Sequence, residues 1–258
     1  MGANNVEDKS DLIELNGISK NFGEVKALRN VDMELGRDEI LGLVGDNGAG
    51  KSTLIKIISG VFNQSSGEMF FDDKPVRFDS PHEAREAGIR VVHQQMEEVL
   101  APHQDVTSNL FMGEELTKSY LGGVIKVLDK KKMTVQAQEA LDKTNIQIDS
   151  LERPVADYSG GQRQAVAVAR AIREEPKVLI LDEPTSALGV EESQEILSLI
   201  KRVGKQGISV IVISHDLDEV FDVVDRIFVL RNGEKAGERV AKESNKEEIV
   251  SLITGAIK

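Results

Sequence analysis

The stretch GDNGAGKST, residues 45–53, decides the fold of this 258-residue chain. It holds the pattern G-x-x-x-x-G-K-[ST] in full, between an apolar run that predicts a strand and a run that predicts a helix. Such loops wrap nucleotide phosphates with backbone amides. Lys51 would contact the β- and γ-phosphates, and Ser52 would ligate Mg²⁺. The predicted nucleotide-binding residues of the loop are Gly45, Asp46, Asn47, Gly48, Ala49, Gly50, Lys51, Ser52 and Thr53.

Apolar runs alternate with amphipathic stretches along the rest of the chain. Predicted strands are LIEL at 12, VDMEL at 31, EILGLV at 39, EMFF at 68, IRVVH at 89, KVLILD at 177, ISVIVIS at 208 and RIFVLRNGE at 226. Strands that are apolar throughout, separated by amphipathic helices, predict a parallel sheet covered on both faces. From about 106 to 146 the pattern turns helical, which predicts a mostly helical insertion between about 95 and 160.

Composition limits the classes of function. The formal net charge is −12 at pH 7, which disfavours a nucleic-acid partner, and the absence of cysteine excludes disulfides and thiolate chemistry. The longest apolar runs are far too short to cross a bilayer, and the N-terminus MGANNVEDKSD lacks the apolar core of a signal peptide. We therefore expect a soluble, cytoplasmic protein.

Two carboxylates follow a buried strand in the sequence VLILDEPTSAL. Asp182 ends this strand at the carboxyl edge, where α/β sheets bind ligands, and is expected to hold Mg²⁺. Glu183 comes next and can act as a general base toward water. A carboxylate at this position can also simply cap a helix. Two in succession, in a chain with a phosphate loop, favour metal and water chemistry.

Three further residues stand where a nucleotide could reach them. His215 ends the strand VIVIS and is expected to hydrogen-bond a γ-phosphate, although a lone histidine is more often structural. Gln94 follows the strand IRVVH, and its neutral carbonyl suits Mg²⁺ or the attacking water; alone, it would indicate only loop polarity. Phe22 lies in the loop-like stretch ISKNFGEVKAL and either packs in the core or stacks on adenine.

A second phosphate-type stretch, YSGGQRQAVAVARA, occupies residues 158–171. A serine and two glycines precede a helical pattern, which brings backbone N–H groups together with the positive end of a helix dipole. Phe22, the phosphate loop, Gln94, SGGQ, LILDEP, SAL and His215 follow one another in this order. In these motifs the chain resembles the nucleotide-binding subunits of ABC transporters over nearly its whole length.

The resemblance implies a fold class and a division of the chain. The class is α/β: a P-loop NTPase with an ABC-type nucleotide-binding domain, made of a RecA-like core, an antiparallel β subdomain and a helical subdomain. Residues 11–258 would form this single domain, with 11–94 and 160–258 in the catalytic α/β and β lobe. Residues from about 95 to 159 would form the helical lobe, and 1–10 a polar N-terminal tail.

The resemblance also implies why one chain carries two phosphate-type stretches. In this family two subunits pair head to tail, so that each signature faces the phosphate loop of its partner. The residues that would bind the γ-phosphate of ATP held by the other chain are Ser159, Gly160, Gly161 and Gln162. Tyr158 stands where leucine is commoner, and Gly189 stands where the family usually has aspartate. The second departure puts contacts of that side chain across the dimer in doubt.

Details of the motifs narrow the implied function. GDNGAGKST, SALGV and VVHQ are similar to the versions in importers of ribose, xylose or fructose. The implied protein is an ATPase subunit, peripheral on the inner face of the cell membrane, that drives import of a monosaccharide. Its implied partners are integral-membrane permease subunits, contacted around residues 95–111, an extracytoplasmic solute-binding protein, and a second copy of the chain or a similar ATPase subunit.

Two other functions stay open at this point. A soluble ABC ATPase without a transport role, such as one serving iron–sulfur cluster assembly, would have a single domain of this size as well. A nucleotide-binding module without turnover is the other. The intact set of Lys51, Asp182, Glu183 and His215 argues against that second alternative.

Overall fold

The computed structural model describes residues 11–94, 100–120 and 125–257. The predicted tail 1–10 and the first five residues of the predicted permease segment, 95–99, lie outside the described residues. The strands are β1 Asp11–Phe22, β2 Val25–Gly36, β3 Ile40–Val44, β4 Ser66–Phe71, β5 Lys74–Val76, β6 Ile89–Val92, β7 Thr117–Tyr120, β8 Ile125–Leu128, β9 Val178–Asp182, β10 Ser209–Ile213, β11 Arg226–Arg231 and β12 Glu234–Val240. The helices are α1 Lys51–Ile58, α2 Pro81–Ala87, α3 Val106–Phe111, α4 Lys130–Asp142, α5 Gly160–Ile172, α6 Val190–Lys205, α7 Leu217–Val223 and α8 Lys246–Thr254.

A six-stranded sheet forms the centre of the molecule, in the order β12-β11-β3-β10-β9-β6. The strands from β11 to β6 are parallel, and only β12 runs antiparallel to its neighbour. All five residues of β3 and of β10 are buried, as expected for strands with helices on both faces. The sequence prediction of a parallel sheet is confirmed for the strands that position the phosphate loop.

A second sheet, antiparallel and in the order β2-β1-β4-β5, packs on the phosphate-loop helix α1. Leu15 and Ile18 of this sheet are fully buried in one cluster with Leu54 and Ile58 of α1. The helix that begins at the phosphate loop is therefore held between the two sheets. Burial of four apolar side chains on α1 fixes its axis relative to the loop.

The segment predicted as helical from about 106 to 146 contains a β-hairpin as well. Helices α3 and α4 lie where expected, but β7 and β8 pair between them, with Thr117 opposite Leu128 and Lys118 opposite Val127. These strands are rich in β-branched and aromatic residues, which fit a pleated surface better than a helix. The Lys118 ammonium also lies 2.9 Å from the Asp129 carboxylate at the start of α4.

Asp72 connects the antiparallel sheet to the segment that leads into β9. Its carboxylate accepts hydrogen bonds from Arg37 Nη2 at 2.5 Å and from Lys177 Nζ at 2.6 Å. The hydrogen bond from Lys177, followed by that from Arg37, lowers the pKa of Asp72 from 3.8 to about 2. The charged form is thus favoured in the folded chain, and folding gains stability from it at any pH above the unfolded pKa.

We expect Asp72→Asn to lower the free energy of unfolding near neutral pH by about 1 kcal/mol at most, because the ion pairs are partly exposed. The difference in free energy of unfolding between the variant and the unmodified chain should have its full size above about pH 4 and should shrink as the pH falls toward 2. Urea unfolding at a series of pH values measures it. Asp73→Asn, which removes a neighbouring carboxylate 3.7 Å from Arg37, is the control and should have a smaller effect. A difference that grows on acidification would contradict this assignment.

Candidate active site

The phosphate loop runs from the end of β3 to the start of α1 and is closed by glycines with positive φ. Gly45 has a φ of 150°, and a Cβ there would lie 2.1 Å from the backbone oxygen of Leu230. Gly50, at the N-cap of α1, has a φ of 108°, and a Cβ there would lie 2.8 Å from the Ala27 oxygen. Because Gly50 offers no side chain to cap α1, the first amides of the helix remain suited to an external anion.

Lys51 points its ammonium group back over this loop. Its Nζ donates to the backbone oxygens of Gly45 at 2.6 Å and Asp46 at 3.1 Å. Burial lowers the pKa of Lys51, against the opposing effect of the nearby carboxylates, chiefly Glu183 and Asp182. A half-buried ammonium in a concave loop of amides is arranged to receive phosphate oxygens.

Two adjoining cavities open along the carboxyl edge of the parallel strands. The larger, about 680 Å³, is lined by the loop from Asn47 to Thr53 together with Gln94, Asp182 and Glu183. The smaller, about 410 Å³, is lined by Gly45, Asp46, Gln94, Glu183 and His215 among others. The structure therefore brings together the loop, both carboxylates, the glutamine and the histidine. They meet because β3, β6, β9 and β10 are parallel and end at the same edge.

The donors near the loop suit a small divalent cation that arrives with a nucleotide. Burial raises the pKa of Asp182, while the charges on His93 and Lys51 act in the opposite direction. A buried carboxylate of this kind gains from a nearby cation. Within the described residues no cluster of three or more His, Asp or Glu side chains could hold a metal alone. Ser52, Asp182 and Gln94 offer the oxygens that Mg²⁺ combines with phosphate and water.

Glu183 and His215 form a pair beside the loop. The Glu183 Oε2 lies 2.7 Å from His215 Nδ1, and because a carboxylate can only accept, the histidine nitrogen donates. Glu183 has a φ of 51°, unusual for a residue with a side chain, and its N–H donates to the Ile213 oxygen at 2.9 Å. The carboxylate is thus fixed over the cavity, where it can accept a proton from water.

Gln94 contacts the loop that follows Glu183. Its Nε2 donates to Ser186 Oγ at 3.2 Å, and Ser186 Oγ donates to the Glu183 backbone oxygen at 3.2 Å. Gln94 is therefore coupled to the conformation of the carboxylate loop through one serine. Ser186 is the first residue of the motif SAL, but the sequence alone indicated no role for its hydroxyl.

Phe22 lies at the exposed end of β1, and 44% of its surface is accessible. Its ring packs edge-to-face on Phe62 with centroids 5.2 Å apart, and Lys20 Nζ lies 5.1 Å from its centroid. Phe22 is not among the residues that line the larger cavity, whereas Val25 is. Adenine stacking on Phe22 stays a prediction.

The signature SGGQ starts helix α5 and lies apart from these cavities, whose lining residues include none of its four members. Ser159 caps the helix: its Oγ accepts from the Gln162 N–H at 3.3 Å, and Gln162 Oε1 accepts from the Ser159 N–H at 3.1 Å. The Gln162 amide oxygen is therefore used within its own helix cap. Contact of the signature with a nucleotide bound to a second subunit stays a prediction.

The turn between β11 and β12 touches the phosphate loop and was not predicted from the sequence, in which RIFVLRNGE is one predicted strand. The Gly233 N–H donates to the Ala49 oxygen at 2.9 Å, and the Arg29 N–H donates to the Gly233 oxygen at 2.7 Å. Asn232 and Gly233 line the larger cavity. The dipeptide Asn-Gly after an apolar run signals a hairpin turn, but nothing local indicates that this turn supports a loop far earlier in the chain.

A phosphate loop at the carboxyl edge of a parallel sheet, with a carboxylate pair at the end of another strand, defines a P-loop nucleoside triphosphatase. Residues 28–186 match the protein-family model described as ABC transporter. The chain belongs to the ABC transporter family, and it is an ATPase of the ATP-binding cassette type. The resemblance and the fold class inferred from the sequence are confirmed.

Three proteins similar to this chain are import ATP-binding proteins. The chain is 42% identical to the xylose/arabinose import ATP-binding protein XylG of Sulfolobus acidocaldarius, over 95% of this chain and 94% of that protein. It is 41% identical to the fructose import ATP-binding protein FrcA of Rhizobium meliloti, again over 95% and 94%. It is 36% identical to the ribose import ATP-binding protein RbsA of Clostridium tetani over 99% of this chain, which spans 49% of that longer protein.

Solved structures of cassettes share the fold. A nucleotide-free ATP-binding cassette from an ABC transporter superposes with a TM-score of 0.80 at 27% identity, covering 95% of this chain and 96% of that one. A dimeric post-hydrolysis state of the cassette MJ0796, bound to ADP and Pi, gives a TM-score of 0.73 at 27% identity, covering 89% and 98%. No described helix of this chain has the length and apolar character needed to span a membrane.

Proposed function

We propose that this chain is the ATP-hydrolysing subunit of an importer for a monosaccharide. The observation that carries the proposal is similarity over nearly the whole chain to import proteins for xylose/arabinose and fructose. The phosphate loop, both carboxylates and His215 are present and line two adjoining cavities at one edge of the sheet, which supports turnover rather than nucleotide binding alone. The soluble iron–sulfur type of ABC ATPase is not favoured by any of these relatives.

The site residues divide the work on ATP. Lys51 and the loop amides would hold the β- and γ-phosphates. His215 would present Nε2 to the γ-phosphate, and it donates there when the ring carries both protons, because Nδ1–H is already used by Glu183. Ser52, Asp182 and Gln94 would hold Mg²⁺, which neutralises phosphate charge when bound. Glu183 accepts a proton from the attacking water, in the orientation that the bond from His215 and its own backbone geometry give it.

Head-to-tail pairing of two subunits completes this site. Ser159, Gly160 and Gly161 would contact the γ-phosphate bound to the partner, with Gln162 maintaining the cap of α5. The dimeric cassette of known structure supports pairing of such domains. ATP then holds the dimer closed, and loss of the γ-phosphate on hydrolysis releases it.

The remaining partners lie at the membrane. The importer would contain integral-membrane permease subunits and an extracytoplasmic solute-binding protein, with this chain peripheral on the inner face. A cavity of about 380 Å³ beside the predicted permease segment is lined by Val92, His93, Met112 and Arg170 among others. All of its lining residues except Met112 belong to the proposed catalytic lobe, 11–94 and 160–258, so the division from a lobe of about 95–159 stays a proposal.

Uptake of labelled sugars by cells lacking the gene tests the proposal. Cells carrying the unmodified chain should take up one of xylose, arabinose, ribose or fructose, and cells carrying Glu183→Gln should not. Purification of the tagged chain in mild detergent should recover integral-membrane proteins in equal amounts with either version. Normal uptake without the gene, together with recovery of soluble scaffold proteins only, would contradict a transport role and leave ATP hydrolysis intact.

A further inference from the structure

The carboxylate of Glu192 lies on the start of the signature helix α5. Glu192 is the third residue of α6, and its Oε1 accepts from the Gly161 N–H at 3.4 Å while its Oε2 accepts from the Gly189 N–H at 3.4 Å. The hydroxyl of Ser159, followed by the Gly161 amide, lowers the pKa of Glu192. The negative charge of Glu192 therefore lies against the signature residues of its own chain.

The close approach of α5 and α6 depends on the two signature glycines. A Cβ at Gly161 would lie 3.1 Å from the Cβ of Glu192, and a Cβ at Gly160 would lie 2.7 Å from Leu188 Cδ2. Gly161 thus leaves room for α6 and Gly160 for Leu188, which precedes α6, at the start of the 13-residue helix α5. The amide of Gly161 and the hydroxyl of Ser159 are the groups that the proposed dimer offers to a γ-phosphate.

We infer that Glu192 occupies, in the single subunit, the anion position that the partner's γ-phosphate takes in the ATP-bound dimer. The inference rests on the proposed head-to-tail dimer. A carboxylate and a γ-phosphate repel each other and compete for the same donors, so Glu192 opposes closure until an ATP-loaded partner displaces it. A partner that holds ADP has no γ-phosphate to displace the Glu192 carboxylate. The Gly161 N–H then keeps its hydrogen bond to Glu192 of the same chain.

The displaced carboxylate keeps a partner in its own helix. Its bond to the Gly189 N–H belongs to the capping arrangement at the start of α6, which a rotation of the side chain away from Gly161 can leave in place. Displacement of Glu192 therefore leaves the cap of α6 intact, but the repulsion between its carboxylate and the γ-phosphate opposes closure of the dimer. Glu192→Gln keeps the size and the cap and removes the charge.

The test uses the full chain in the Glu183→Gln background, which is expected to dimerise without hydrolysing ATP. Analytical ultracentrifugation across an MgATP titration gives the concentration at half dimerisation. Adding Glu192→Gln should lower it about three- to tenfold, the range expected for removing an anion that competes at a helix N-terminus. Glu191→Gln, one residue earlier and exposed, is the matched control and should leave the midpoint unchanged.

A second variant and a second readout separate competition from altered folding. Glu192→Asp keeps the charge but shortens the reach to Gly161, so it should shift the midpoint in the same direction by less. Binding of a fluorescent ATP analogue to dilute monomer should be equal in all variants, because each monomer holds nucleotide on its own phosphate loop. An unchanged or raised midpoint in both Glu192 variants would overturn the inference alone. A background that stays monomeric would overturn the proposed dimer as well.

Discussion

Replacing Glu183 with glutamine is expected to lower the rate of ATP hydrolysis about 10²- to 10⁴-fold, the usual contribution of a positioned general base. MgATP binding should persist, because the amide keeps the size of the side chain and its oxygen can still accept from His215 Nδ1. ATP that is bound but not cleaved should trap the closed dimer. Phosphate release measures the first effect, and sedimentation with saturating MgATP measures the second.

A control variant distinguishes the loss of the general base in Glu183→Gln from the loss of one negative charge. Glu195→Gln removes one carboxylate from the exposed side of α6 and should leave hydrolysis unchanged. Glu183→Gln that hydrolyses ATP at the original rate would contradict the assignment of the base. A variant that binds MgATP at saturation yet remains monomeric would contradict contact between the signature and the partner's phosphate.

Much of the candidate site could be predicted from the sequence because each member follows a recognisable strand. Asp182 directly follows an apolar run, and His215 follows another after Ser214; parallel strands bring such ends to one edge. The chemical types at those positions then indicate metal, water and phosphate contacts. The sheet order, by contrast, depends on pairing between strands far apart in sequence and came only from the structure.

Two features of the site could not be predicted because they depend on contacts between segments that are distant in sequence. Glu192 reaches Gly161 over 31 residues, and its helix reads as an ordinary amphipathic surface helix. The Gly233 N–H donates to the Ala49 oxygen, although the two residues lie far apart in the sequence. The hairpin of β7 and β8 was missed for a different reason: its strands are short and exposed, so no alternation of buried and solvated faces marks them.

Lys51→Gln is expected to weaken MgATP binding about 10- to 100-fold, which corresponds to losing a charge-assisted bond to phosphate, and to abolish measurable hydrolysis. Glutamine keeps an N–H donor on a side chain one bond shorter than lysine, so we expect the loop to keep its shape around the Gly45 and Asp46 oxygens. The loss would then reflect the missing charge. Nucleotide titration by calorimetry and phosphate release give the two values.

Lys56→Gln is the matched control for this charge, since Lys56 lies on the same helix and its ammonium sits 5.5 Å from the Phe62 ring, away from the lining of the cavities. It should bind MgATP within about twofold of the unmodified chain, as exposed charges have small effects. Thermal unfolding without nucleotide should be similar for both variants, whereas stabilisation by MgATP should be lost only in Lys51→Gln. If Lys51→Gln were stabilised by MgATP as strongly as the unmodified chain, the loop amides rather than the ammonium would carry phosphate binding, and Lys51 would have no role in affinity.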